Sequence, residues 1–225
     1  QLDLADTASI ERGAAEALAL AGGRLYGLFN NGAYGQPGAL EDLPTEALKA
    51  QFNTNLFGWH HLIRQVLPAM LAVGEGRIVQ NSSVLGLVAM KYRGAYNASK
   101  FALEGYTDTL RLELEGSGVH ISLIEPGPID TRFRANARDA FVRHIDPAQS
   151  RHQGAYRQTL TRLEKEGSTS GFTLPSEACI PPLLHALQSK RPKHRYPVTL
   201  PTRLFSILRR LLPSRWLDRI LGKSV

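Results

Sequence analysis

Tyr96 and Lys100, in the stretch GAYNASKFALEG (94–105), carry the chemistry most easily named in this 225-residue chain. On an α-helix, side chains four apart lie one above the other, so a phenol and an ammonium there can reach a common point. A lysine beside a tyrosine favours the phenolate and is expected to lower the tyrosine's pKa. A phenol tuned in this way is a usable general acid or base near neutral pH. The spacing Y-x-x-x-K alone is common, so its weight rests on the elements that hold it.

Those elements alternate. LDL (2–4) reads as a strand stub, followed by a helix from Thr7 to Ala21 with Asp6 as its N-cap. RLYGLFN (24–30) reads as a buried strand ending in the polar turn NNGAYG. After Thr45, the residues Leu48, Phe52, Leu56, Trp59, Ile63, Val66 and Met70 recur at helical spacing. Then come a strand at RIVQNSS (77–83), a helix over Ala95–Glu115 and a strand at VHISLIEPG (119–127). Strands separated by helices of this length imply crossover connections and a parallel sheet. Ligands of such sheets sit outside the carboxyl ends of the strands. Asn30-Asn31, Ser82-Ser83 and Pro126-Gly127 fall at three such ends. Residues 132–172 are polar, with one helix expected around Tyr156–Glu166, and read as a lid or binding loop. A helix over Ser176–Gln188 and an edge strand at HRYPVTL (194–200) follow, Pro197 being unable to donate to a ladder.

The length is that of one domain with a substantial core. Hydrophobic content of 43% and charged content of 21% are those of a globular protein. No stretch nears the roughly 20 apolar residues that span a bilayer, and no signal peptide is visible. The single cysteine, Cys179, excludes an internal disulfide framework and suits a reducing, cytoplasmic compartment. The seven histidines show no metal-site spacing, so no metal is expected. The net charge of +7 belongs to the tail: from Lys190 onward ten basic residues face one acid, Asp218, leaving 17 basic and 19 acidic residues elsewhere. A near-neutral body without a recognised motif argues against nucleic-acid binding.

With these positions fixed, the chain resembles the short-chain dehydrogenase/reductase family from that family's third strand onward. Tyr96 and Lys100 match its Y-x-x-x-K, Ser83 lies 13 residues before Tyr96, Asn55 in FNTNLFG lies 28 before Ser83, and EPGPIDT (125–131) matches P-G-x-I-x-T. The resemblance implies a Rossmann-like doubly wound parallel α/β sheet and hydride transfer between NADP(H) and a carbonyl or alcohol, with NAD(H) left open. It implies Tyr96 as general acid/base, Ser83 polarising the substrate oxygen, Lys100 holding the nicotinamide ribose and Asn55 holding a water in a proton relay. Ser82 is the neighbouring alternative to Ser83; the 13-residue interval and the succession S-V-L-G favour Ser83. Cofactor contacts carry over to Asp3, Asn30, Gly32, Pro126, Gly127, Ile129 and Thr131, besides Tyr96 and Lys100. Tyr92 and Phe133 are candidate pocket residues. GEGRIVQNSSVLGLV, SLIEPGPI and RYPVTL are similar to bacterial aldehyde and carbonyl reductases, and the group also resembles steroid and retinol dehydrogenases, so an aldehyde or apolar ketone is the expected substrate.

Two features depart from the family. Its N-N-A-G turn reads Asn30-Asn31-Gly32-Ala33 here, placing a methyl where backbone normally nears the cofactor. The T-G-x-x-x-G-x-G turn that holds the pyrophosphate does not occur in the 225 residues, so the sequence is expected to be a fragment lacking the first two strands. The expected organisation is a Rossmann-like catalytic domain over 1–200, with a substrate loop or lid at 131–175. Basic amphipathic helices over 201–225 would cover the pocket, a partner copy or, more sharply, a membrane surface. A homo-oligomer, dimer or tetramer, is expected. The competing reading is a non-catalytic Rossmann-like scaffold or subunit that has lost dinucleotide binding.

Overall fold

The computed structural model describes residues 1–165 and 171–222. Four strands form one parallel sheet in the order β1-β2-β3-β6: β1 Gly27–Asn30, β2 Gly76–Asn81, β3 Val119–Glu125 and β6 Arg195–Pro197. The register pairs Gly27 with Arg77, Gly76 with Val119 and Leu123 with Arg195. Both faces are covered, as parallel strands require. Ile78 and Ile121 point toward α1 (Thr7–Leu20), α3 (Gly58–Val73) and α4 (Gly94–Glu113), packing with Ala14, Ile63, Val66, Met70 and Leu110. Val79 and Ile124 point the other way, against Ala186 of α7 (Ile180–Gln188) and Tyr196. The period of two along each strand therefore builds two cores, one on each side. This is the doubly wound α/β arrangement expected, and β6 lies at the sheet edge as its proline suggests.

Asp6 caps α1 as expected, its carboxylate accepting from Ala8 N. LDL, by contrast, forms no strand: Asp3 folds over a turn, accepting from Ala5 N while its own amide donates to Ser9 Oγ. The long apolar helix divides into α2 (Thr45–Phe52), a π-helical turn at Asn53–Phe57 and α3. The segment 132–172 is more ordered than its polarity suggests. It holds two helices, α5 (Phe133–His144) and α6 (Gln153–Glu164), packed together through Phe141, Ile145, Tyr156 and Leu160. Their apolar residues keep helical spacing but are diluted by Arg, Asp and Gln, which masks the pattern. Glu166, the expected end of the second helix, falls outside the described residues. A short parallel ladder joins β4 (Ile129–Asp130) to β5 (Leu174–Pro175), drawing the segment after Pro126-Gly127 against the approach to α7. The tail forms α8 (Leu200–Leu211) and α9 (Ser214–Leu221). It is fastened to the body where Arg209 donates to Gly86 O (3.5 Å), just beyond Ser83, and Lys91 donates to Gly222 O (3.0 Å).

Candidate active site

The carboxyl ends of β2 and β3 open into a cleft of about 750 Å³. Ser83, Tyr96 and Lys100 line it together with Pro126, Gly127, Ile129, Thr131 and Phe133. Ser83 leaves β2 in an extended conformation and caps the 3-10 turn Val84–Gly86, its Oγ accepting from Leu85 N at 3.1 Å. Its hydroxyl also stands close enough to the Tyr96 phenol to draw that group's pKa down. Ser82 also borders the cleft, but its hydroxyl is committed to Glu104 Oε1, to which it donates at 2.5 Å. Of the two serines, Ser83 is the one beside the tyrosine.

Tyr96 lies on the first turn of α4, its ring edge-on to Phe133 with centroids 5.3 Å apart. Burial pushes its pKa up to about 12, against the Ser83 hydroxyl and the charge of Arg93, which pull it down. The expected lowering by Lys100 is not seen here, and the reason is physical. Lys100 is itself buried, which brings its pKa down to about 7 although Glu104 holds it up. At the pH where the phenol would ionise, the lysine has already lost its charge. Its ammonium donates to Asn81 O at 2.7 Å and lies 4.6 Å from the Trp59 ring centroid and 5.7 Å from that of Tyr96.

Asn55 sits in the π-helical turn, a feature that re-aims side chains and is frequent at functional sites. It clasps the loop after β1, accepting from Tyr34 N (3.2 Å) and donating to Tyr34 O (2.9 Å) and Ser99 Oγ (3.3 Å). The Pro126-Gly127 turn is bound to the serine segment by Val84 N donating to Pro126 O at 2.7 Å. A Cβ on Gly127 would lie 2.1 Å from Thr199 Oγ1, so only glycine fits there. Thr131 Oγ1 accepts from Phe133 N at 3.3 Å, which starts α5 beside the cleft.

Five candidate residues do not line the cleft: Asp3, Asn30, Gly32, Asn55 and Tyr92. Asn30 is buried and ties β1 to β2 by donating to Gln80 Oε1 at 3.2 Å. Gly32 O accepts from Trp59 Nε1 at 2.8 Å. Tyr92, expected in the pocket, instead packs with Tyr156 and His152 between α5 and α6, held there by a positive φ of 59° that swings it from its neighbours. Arg93, Arg162 and Asn81 line the cleft without having been singled out by their sequence context. Arg93 stands three residues before Tyr96, a spacing that could have drawn notice; Arg162 lies on a helix whose pattern is masked.

A nicotinamide dinucleotide fits these residues. The buried Asn81 Oδ1 lacks a donor among the described residues, beside an ammonium whose one protein acceptor leaves further protons to give. A ribose diol, donor and acceptor at once, satisfies both. Ala33, the residue exchanged relative to the family's turn, forms part of the same wall.

Comparison with known proteins agrees with this geometry. The family model for short chain dehydrogenases matches residues 1–141. "Uncharacterized oxidoreductase YbbO" of Escherichia coli K12 is 44% identical over 220 residues, covering 98% of this chain and 76% of that one. "NADPH-dependent 3-dehydrocapnine reductase" of Ornithobacterium rhinotracheale is 32% identical over 202 residues, covering 88% of this chain and 69% of that one. Among solved structures, a short chain dehydrogenase/reductase from Burkholderia phymatum in complex with NAD superposes with a TM-score of 0.75 at 29% identity, covering 99% of this chain and 76% of that one. A cleft at the strand ends, a serine and tyrosine lining it together and these relatives lead to one conclusion: the chain belongs to the short-chain dehydrogenase family of NAD(P)-dependent oxidoreductases.

Proposed function

We propose that the protein reduces an aldehyde or apolar ketone with NADP(H), Tyr96 acting as general acid/base. The observation that carries this reading is that Ser83 and Tyr96 line one open cleft, with Lys100 one helical turn further along on the same wall. A bound nicotinamide supplies the hydride. The Ser83 hydroxyl donates to the carbonyl oxygen as negative charge develops on it. Tyr96 delivers the proton to that oxygen, and its high pKa keeps the proton in place until it is needed, which favours reduction at neutral pH. Lys100 would hold the ribose hydroxyls, and Asn55 would connect the lysine to solvent through water. Asn30 and the Pro126–Thr131 segment would flank the dinucleotide, and Asp3 would read its adenine. The preference for NADP(H) over NAD(H) is supported by the NADPH named for one relative.

The same proposal places the protein in the cytoplasm as a homo-oligomer with a basic tail at a membrane surface. α8 and α9 expose Leu204, Ile207, Leu211 and Trp216 alongside five arginines, the composition of an interfacial helix. No helix among the described residues is long and apolar enough to cross a membrane. Flotation with anionic liposomes, with and without residues 202–225, tests the tail; equal flotation removes the idea. No observation favours the non-catalytic scaffold. Oxidation of NADPH by the chain with a series of aldehydes and ketones tests the central claim. Turnover that disappears in Tyr96→Phe supports it, and turnover that Tyr96→Phe leaves unchanged overturns it.

A further inference from the structure

The cleft holds five cations, Arg93, Lys100, Arg132, Arg134 and Arg162, and no Asp or Glu lines it among the described residues. Three of these have evident occupations. Lys100 donates to Asn81 O, Arg134 is engaged by Asp130 (3.2 Å) and Lys165 O (2.8 Å), and Arg132 is exposed at the rim. Arg93 and Arg162 are different. Both are half-buried; among the described residues the Arg93 side chain donates to the weak acceptor Met90 Sδ at 3.5 Å, and Arg162 meets no acceptor. They are near enough to feel each other: burial is the main cause and the charge of Arg162 the next in bringing Arg93 down to about 10. Two half-buried guanidiniums lining one cleft, with no carboxylate between them among the described residues, are costly unless a ligand supplies the negative charge.

Their position separates them from the dinucleotide. Along α4, Tyr96 lies between Lys100, which turns toward Asn81 and Trp59 at the sheet, and Arg93, which turns toward Met90 and α6. Met90, Ala137 and Leu163 add an apolar surface around the arginine pair. A ligand with its carbonyl at Ser83 and Tyr96 and a short aliphatic chain over these residues would place its far end between Arg93 and Arg162. A guanidinium fork matches the two oxygens of a carboxylate and those of other oxyanions.

We infer that the substrate of this site is an oxo acid, a carbonyl compound whose chain ends in an oxyanion bound by Arg93 and Arg162. This deepens the reductase reading and rests on it. The first test needs no dinucleotide: calorimetric titration of the full chain with hexanoate, hexanesulfonate and hexyl phosphate, each against hexanol. At least tenfold tighter binding of one oxyanion, weakening with added NaCl, is expected; hexanol binding as well as all three overturns the inference. Arg162→Met should weaken the bound oxyanion tenfold or more and Arg162→Lys should recover part of it; an unchanged Kd in Arg162→Met and Arg93→Met overturns it too. The wild-type comparison stands even where a variant does not fold. The second test compares kcat/KM for 6-oxohexanoate and hexanal with NADPH. A ratio of ten or more supports the inference, and a ratio near one overturns it while leaving the reductase reading intact. Selective oxyanion binding with neither aldehyde reduced overturns the reductase reading, and with it the assignment of the anion to a substrate.

Discussion

Helix α4 carries two charge clusters of opposite character, one at each end of the same face. Its later turns place Glu104 and Asp108 beside Glu125 at the end of β3, and a single cation, Arg195, meets all three at 3.1, 2.7 and 3.2 Å. Its N-cap and first two turns place Arg93, Tyr96 and Lys100 on the cleft, which no Asp or Glu lines among the described residues, although Glu104 supports Lys100 from behind. The acid cluster is tied together within the protein: Ser82 fills one remaining lone pair of Glu104, and the elements it joins (β2, β3, α4 and β6) are held in register. The basic cluster is open to solvent and to ligand. A buried charge fully answered by protein is a fastening, whereas one left unanswered beside a reactive phenol is a binding site.

Breaking each cluster at its centre should therefore give opposite phenotypes. In the proposed reaction Tyr96→Phe removes the group that delivers a proton to the substrate oxygen, and kcat/KM should fall by roughly 10³-fold, within the range for a general acid. Its thermal midpoint should stay close to wild type, because the change removes one hydroxyl facing the cleft and keeps the ring against Phe133. Arg195→Met should do the reverse to stability. It leaves Glu104 and Glu125 buried without their cation, while Asp108 keeps Arg111 at 3.2 Å, a change worth about 3–5 kcal/mol, measurable by urea unfolding. The cost should depend on pH. Burial and the nearby Glu104 raise Glu125 from the usual carboxylate range to about 8. A raised carboxyl stabilises the folded state below its unfolded pKa, and that contribution is lost as pH climbs toward the folded value. Stability should fall between about pH 5 and pH 8, more steeply in Arg195→Met, and Glu125→Gln should flatten this limb. Lys100 acts oppositely: its pKa is lowered to about 7, so the unfolded chain binds the extra proton from there to about pH 10 and stability recovers over that window.

The sequence made one half of this comparison far more legible than the other. Tyr96 and Lys100 declare themselves because i, i+4 spacing is local, and Ser83 because it ends an apolar strand. The two faces of the sheet follow from alternation in IVQN and ISLI, which the structure resolves into two cores. Arg195 joins residues 87 and 91 positions away, and no local pattern marks such a partner. Arg93 and Arg162 come from different helices, one of them hidden in a polar stretch. LDL looked like a strand because three residues cannot distinguish a strand stub from a turn that buries one leucine. The tyrosine's pKa was misjudged for a related reason: proximity to lysine is visible in sequence, whereas desolvation of both groups is not.

The adjacent serines give the narrowest test, since Ser82 and Ser83 belong to different clusters one residue apart. Ser83→Ala removes the donor beside Tyr96, and kcat/KM should drop by about 10²-fold, the scale of losing one preorganised donor to a developing oxyanion. Ser82→Ala removes one hydroxyl donor to the Glu104 carboxylate, which keeps Arg195 as a partner. Its expected cost is about 1 kcal/mol of stability, read as a small shift in the urea midpoint, with kcat/KM near wild type. That cost should shrink below the pH at which Glu104 takes up a proton, because burial already raises this carboxyl and the hydroxyl's donation favours its charged form. If Ser82→Ala instead lost turnover on the scale of Ser83→Ala, the two clusters would be energetically one. The acid side would then be setting the position of the reacting serine through the strand end, and the separation of fastening from site would fail.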